Sequence, residues 1–168
     1  MNWYALFVET GAEETVEQYI YYHFDKSKCC LVIPKRRLME VKNGVSSQVT
    51  RTLFPGYIFI NVDMNADIYH KLRKIPKIYK VINQGGDYYS QVSDEEMKYI
   101  LRLVKNSNTI DFSQVLIENS EVHVCSGPLL GMEGLIKKID KRRGRAKVVL
   151  NLMGSPKTVD LGVNILNL

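Results

Sequence analysis

The sequence predicts an α+β fold in two parts. An N-terminal α/β sandwich, an antiparallel sheet with flanking helices, spans residues 1–105, and a small C-terminal β-barrel spans 116–168. A linker at 106–115 joins them. Three observations predict this. Up to Lys105, apolar residues switch between a two-residue and a 3.6-residue period, so strands and helices are mixed. Residues 106–115 begin polar and carry no strong period. Beyond them only short strand-like runs remain, separated by turns rich in Gly and Pro.

Trp3 to Val8 reads as a central strand, with Trp3, Ala5 and Phe7 on one face and Tyr4, Leu6 and Val8 on the other. Thr10 and Glu13 are spaced as a capping box for a helix running to about Asp25, with Val16, Ile20 and Phe24 inward. Cys29 to Ile33 is a short strand ending at Pro34. Leu38–Lys42 and Gln48–Leu53 flank Asn43-Gly44 and read as an exposed hairpin or flexible loop. Pro55-Gly56 suits the centre of a type II turn, because Pro fixes φ and Gly accepts a positive φ. Tyr57–Val62 is a strand, Asn65 to about Lys74 a short helix with Ile68 and Leu72 inward, and Ile78–Asn83 a strand ending in a turn at Gln84-Gly85-Gly86. Ser93 and Glu96 form a second capping box before the stripe Met97, Ile100, Leu101 and Val104. In the C-terminal part, strands are expected at about 121–125, 133–139, 145–151, 156–161 and 164–166. Turns separate them at Ser126-Gly127-Pro128, Lys141–Gly144 and Gly154-Ser155-Pro156.

Composition narrows the function. The apolar share of 45% and charged share of 24% are ordinary for a globular protein. No apolar run reaches a membrane span, and Met1-Asn2-Trp3-Tyr4 lacks the features of a secretion signal, so a cytoplasmic protein is expected. Three cysteines, two of them adjacent, argue against a disulfide framework and lack metal-ligand spacing. His23, His70 and His123 are scattered. No P-loop, dinucleotide fingerprint or nucleophile elbow is present, and the chain reads as a binding protein with no cofactor and no catalytic set. The net charge of +5 favours an acidic partner such as nucleic acid. Residues 112–168 hold 8 basic and 5 acidic residues, against 15 and 13 in 1–111, so the surplus lies towards the C-terminus. Seven of the eleven residues 137–147 are basic: Lys137, Lys138, Lys141, Arg142, Arg143, Arg145 and Lys147. A hairpin with arginines around Gly144 is suited to gripping phosphates. The same pattern also suits a solvated hairpin tip.

Several motifs occur in a family-like order: Trp3-Tyr4-Ala5, Thr10-Gly11 with Glu13-Glu14, Ile33-Pro34 and Leu53-Phe54-Pro55-Gly56-Tyr57-Ile58-Phe59. They resemble the N-terminal (NGN) domain of the NusG transcription elongation factors. Gly127-Pro128-Leu129, Gly131-Met132-Glu133-Gly134 and Ile139-Asp140 resemble the KOW motif of the barrel that follows it. The resemblance implies docking on the clamp helices of the largest RNA polymerase subunit, through positions matching Trp3, Tyr4, Phe54 and Tyr57. It places Lys35, Arg36 and Arg37 near DNA, and His70, Lys71 and Arg73 near the polymerase lobe or DNA. The usual Gly-Pro-Phe reads Gly127-Pro128-Leu129, at a loop through which the general factor meets ribosomal protein S10 or Rho. With the basic hairpin, this departure resembles a specialised paralog of the LoaP antiterminator group. That resemblance implies a monomer recognising an RNA hairpin in target leaders. Two alternatives stay open: a general factor with S10 as a candidate partner, and a ribosome-associated KOW protein.

Overall fold

The computed structural model describes residues 1–85 and 88–167. Strand β1 (Asn2–Val8) is central in a five-stranded antiparallel sheet, as its apolar character on both faces requires. Strand β5 (Tyr57–Val62) pairs along it from Asn2↔Val62 to Phe7↔Tyr57, and β2 (Cys29–Val32) lies outside β5. The other edge of β1 pairs with β6 (Ile78–Val81) and β7 (Gln91–Val92). The turn expected at Gln84–Gly86 includes Gly86, which lies outside the described residues.

The sheet divides its side chains as the alternation predicts. Tyr4, Leu6 and Val8 join Ile58, Ile60 and Val62 in the main core. Helix α1 (Glu13–His23) adds Val16 and Ile20, and helix α2 (Ala66–Arg73) adds Tyr69 and Leu72. Each fully buried aliphatic side chain of this kind contributes about 1.5–3 kcal/mol. Asn65 caps α2, accepting from the Ile68 amide at 3.0 Å. Helix α3 (Asp94–Val104) starts as its capping box predicts, with Ser93 Oγ accepting from the Glu96 amide at 3.2 Å. Its buried stripe is Met97, Ile100, Leu103 and Val104, so Leu103 takes the place expected for Leu101.

The capping box expected at α1 does not form. Ala12 occupies the N-cap and no side chain caps it. Glu13 is buried and accepts instead from the Gly56 amide at 2.7 Å. The reason is that Gly56 turns its N–H inward, where an unpaired donor is costly, and Glu13 is the acceptor within reach.

By proximity of their Cα atoms the residues fall into two compact units, 1–33 with 54–97 and 34–53 with 98–168. In the second, strands β3 (Lys35–Lys42) and β4 (Val45–Thr52) form a full hairpin. Asn43 (φ 52°) and Gly44 (φ 76°) both adopt the left-handed conformation of a type I′ turn. Residues 106–115, expected as a linker, contain β8 (Thr109–Ile110), which pairs parallel to β3, and the start of β9 (Ser113–Glu118). Their polar residues are backbone partners for other strands, which a search for side-chain periodicity cannot detect.

The barrel-like sheet has the order β10 (Glu121–Ser126), β9, β13 (Ser155–Leu166), β12 (Arg145–Leu152), β11 (Ile136–Asp140). Two expectations change here. Residues Glu133–Leu135 form one turn of 3-10 helix rather than strand. The two strands expected at 156–161 and 164–166 are one continuous β13. Gly162 marks a close approach rather than a break: a Cβ there would lie 2.5 Å from the Arg37 carbonyl oxygen and 2.6 Å from the Phe112 ring.

Candidate functional site

Two surfaces gather the residues singled out by sequence. The first lies in the unit built on β1. Pro55 and Gly56 make the turn, with Gly56 at φ 83° and the Tyr57 amide donating to the Phe54 carbonyl at 3.1 Å. Three further contacts pin it. The Gly56 amide donates to Glu13 at 2.7 Å, and the Val8 amide donates to the Gly56 carbonyl at 2.8 Å. The Phe54 ring packs edge-on against Phe59, with centroids 6.0 Å apart.

By the β1–β5 register, Trp3, Phe7, Tyr57 and Phe59 share one sheet face. Trp3 and Tyr57 are half-buried, whereas Phe54 is 5% exposed. Tyr4 is on the opposite face, 4% exposed in the main core, with its ring edge-on to Tyr89. Burial raises its phenol pKa. The structure therefore puts Trp3 and Tyr57 on one sheet face, buries Phe54 against Phe59 of that face, and places Tyr4 on the other.

Two aromatics that the motif comparison missed extend this face. Phe7 lies 5.7 Å from Tyr57 and 5.4 Å from Tyr79, ring centre to ring centre, and Tyr79 is 53% exposed. Strand alternation alone places Phe7 on the same face as Trp3. Tyr79 had no such signal, because it reaches Phe7 at an irregularity in the β1–β6 register.

On α2, His70 is exposed beside the Tyr69 ring, and Lys71 pairs with Asp67 at 2.9 Å. Arg73 donates to the Tyr69 hydroxyl at 3.1 Å.

The second surface is the β11–β12 hairpin and its surroundings. Lys137, Lys138, Lys141, Arg142, Arg143 and Lys147 are all exposed. Asp140 engages Arg143, accepting from its amide at 3.0 Å and lying 3.9 Å from its Nε. Among the described residues, Arg142 has no ion-pair or hydrogen-bond partner for its guanidinium. Arg145 differs from its neighbours. Its side chain is 18% exposed, lies 3.7 Å from Asp160, and donates to the Met39 carbonyl at 3.4 Å. It braces the unit from within while the tip cations face water.

The basic run of β3 is likewise engaged inside its own unit. Arg36 donates to the Asp160 carbonyl at 2.6 Å, and burial lowers its pKa. Arg37 pairs with Asp111 at 3.1 Å, and the Lys35 amide donates to the Asn108 carbonyl at 2.7 Å. Among the described residues no His, Cys, Asp or Glu cluster could hold a metal, and no helix is long and apolar enough to cross a membrane. Cys29 is buried, Cys30 and Cys125 are exposed, and all three are free thiols.

The family model described as transcription termination factor NusG matches residues 1–101. The chain belongs to the NusG family. Similar relatives include the transcription termination/antitermination protein NusG of Buchnera aphidicola from Acyrthosiphon pisum, 26% identical over 95% of this chain and 92% of that one. The NusG of Pasteurella multocida is 27% identical, over 95% and 91%. A solved structure, "Domain interaction in Thermotoga maritima NusG", is similar with a TM-score of 0.59 and 27% identity, covering 96% of this chain and 93% of the other. The fold is accordingly the NusG pairing of an α+β N-terminal part with a C-terminal KOW barrel, and the chain is a NusG-type transcription termination/antitermination factor.

Proposed function

We propose that this NusG-family chain is a specialised antiterminator of the LoaP kind. It binds the clamp helices of RNA polymerase through the aromatic face around Tyr57 and promotes terminator readthrough in chosen operons. Its barrel supplies the choice by contacting leader RNA. The observation that carries this reading is the exposure of six cations on one short hairpin, with Asp140 as the carboxylate beside Arg143. Such a tip attracts phosphate and releases counterions on binding. Trp3, Phe7, Tyr57 and Tyr79 supply the other half: aromatic side chains on a rigid sheet lose little entropy on docking and are favoured anchors. The division into an N-terminal polymerase-binding part ending near Lys105 and a KOW part from about 116 belongs to this proposal, as does action as a cytoplasmic monomer.

The test is transcription in vitro through tandem intrinsic terminators, with and without a leader upstream. The wild type should raise readthrough only on leader-bearing templates. Arg142→Ala with Arg143→Ala should abolish that gain while still co-purifying with core polymerase. Trp3→Ala with Tyr57→Ala should lose polymerase binding. Leader-independent readthrough, equal for wild type and the arginine double variant, would favour the general factor instead.

A further inference from the structure

The tip cations do not stand alone. A groove of about 560 Å³ separates the β11–β12 turn from the β3–β4 hairpin. Arg142, Arg143 and Arg145 line one wall. The other wall carries Met39, Glu40, Val41 and Ser46, all from the hairpin. This volume lies within the range of sites that enclose a small organic group.

The two walls differ in chemistry. One offers guanidinium groups, which fork onto phosphate oxygens. The other offers exposed apolar surface, with Val41 72% and Met39 37% exposed, and the hydroxyl of Ser46, the cross-strand partner of Val41. Arg51 holds the Glu40 carboxylate in a two-pronged pair at 2.8 and 3.1 Å, which compensates its charge within the hairpin. A regular duplex would set a phosphate rail against each wall, and Met39, Val41 and Ser46 offer one of them no cation. An unpaired nucleotide fits both walls: its phosphates meet the arginines, its base face meets Val41 and Met39, and a polar group on its base edge meets the Ser46 hydroxyl.

The walls are also held at a fixed separation. Arg145 donates across to the Met39 carbonyl at 3.4 Å, and Arg36 to the Asp160 carbonyl at 2.6 Å. Gly162 lets β13 run against the Arg37 carbonyl, where a Cβ would sit at 2.5 Å. A groove set before binding costs little ordering when filled.

We infer that this groove seats an unpaired nucleotide between the barrel tip and the β3–β4 hairpin, so that the chain selects a looped or single-stranded element over a continuous duplex. The inference rests on the reading of the barrel tip as a nucleic-acid surface, and its experiment separates the two. Val41 and Ser46 are cross-strand partners on the groove side, whereas Val45 pairs with Lys42 one residue on and faces away. The full chain is titrated with three fluorescent probes: an RNA stem-loop of mixed loop sequence, its DNA counterpart, and the RNA stem closed into an uninterrupted duplex. Wild type, Val41→Asp, Val45→Asp and Arg142→Ala/Arg143→Ala are compared, with thermal melts confirming that each folds.

A stem-loop should bind at least about tenfold more tightly than the duplex, and Val41→Asp should remove most of that preference. Val45→Asp, 66% exposed in the wild type and outside the groove, should stay within about twofold of it. The tighter of the RNA and DNA stem-loops names the source of the nucleotide. Equal binding of stem-loop and duplex, or equal affinities for Val41→Asp and Val45→Asp, overturns the groove even if the arginine double variant is weak. Full binding by the arginine double variant overturns the nucleic-acid reading of the tip itself.

Discussion

The Phe54–Tyr57 turn and the Lys141–Gly144 turn are both tight reversals that present side chains proposed to bind, yet they are constructed in opposite ways. At the first, the backbone is held from three directions: Tyr57 to Phe54, Val8 to Gly56, and Gly56 to the buried Glu13 carboxylate. At the second, one local carboxylate, Asp140, steadies the chain, and the Gly144 carbonyl accepts from Val163 at 2.9 Å. Aromatic docking depends on shape, so the supporting backbone must not move. Phosphate attraction falls off gradually with distance, so exposed cations need a less closely shaped backbone beneath them. The aromatic surface is thereby coupled to folding stability, and the basic one is nearly independent of it.

Breaking the first turn should therefore cost the most. Gly56→Val forces a branched residue into φ 83° and meets Thr10 Oγ1 and the Val8 carbonyl, already 3.2 and 3.3 Å from a Cβ placed there. A loss of about 2–4 kcal/mol is expected in urea unfolding, from left-handed strain plus overpacking. Little change in midpoint would mean that the turn is not rigidly built.

Glu13→Ala should cost somewhat less, about 1–3 kcal/mol, because it strands the Gly56 donor away from water. Glu13→Gln keeps an acceptor oxygen and should recover much of the loss. If alanine and glutamine variants melt alike, the hydrogen bond is not what stabilises the turn.

At the second turn, Arg142→Ala with Arg143→Ala should change stability by no more than about 0.5 kcal/mol. Its effect should lie in the salt dependence of RNA binding, where the slope of log affinity against log salt flattens by roughly 0.7–0.9 for each phosphate contact removed. A melting shift as large as that of Glu13→Ala would show that the tip, too, is structural, and the comparison would collapse.

Legibility in the sequence followed the same divide. Strong local signals were readable: the two-faced β1, the Asn43-Gly44 hairpin, the positive φ of Gly56 and the Ser93 cap each rest on residues adjacent along the chain. The NusG motifs carried the family because they sit in those local elements. Where a residue had a choice of partner, the sequence was a poorer guide. Glu13 has the spacing of a capping residue, but it bonds an amide 43 positions away. Arg145 looks like its neighbours in a basic run, yet it lies against Met39, 106 positions distant.

The sequence by itself determined the class of each part, the turns at Asn43-Gly44 and Pro55-Gly56, the density of positive charge near the C-terminus and the family. Only the tertiary structure decided that Tyr4 belongs to the core while Phe7 and Tyr79 join the aromatic face, that residues 109–110 and 113–115 are strand, and that the basic tip looks across a groove at the β3–β4 hairpin. The physical reason is range. Backbone preference and side-chain periodicity act over a few residues, whereas burial, parallel pairing and charge pairing are settled by whichever distant segment comes to lie alongside.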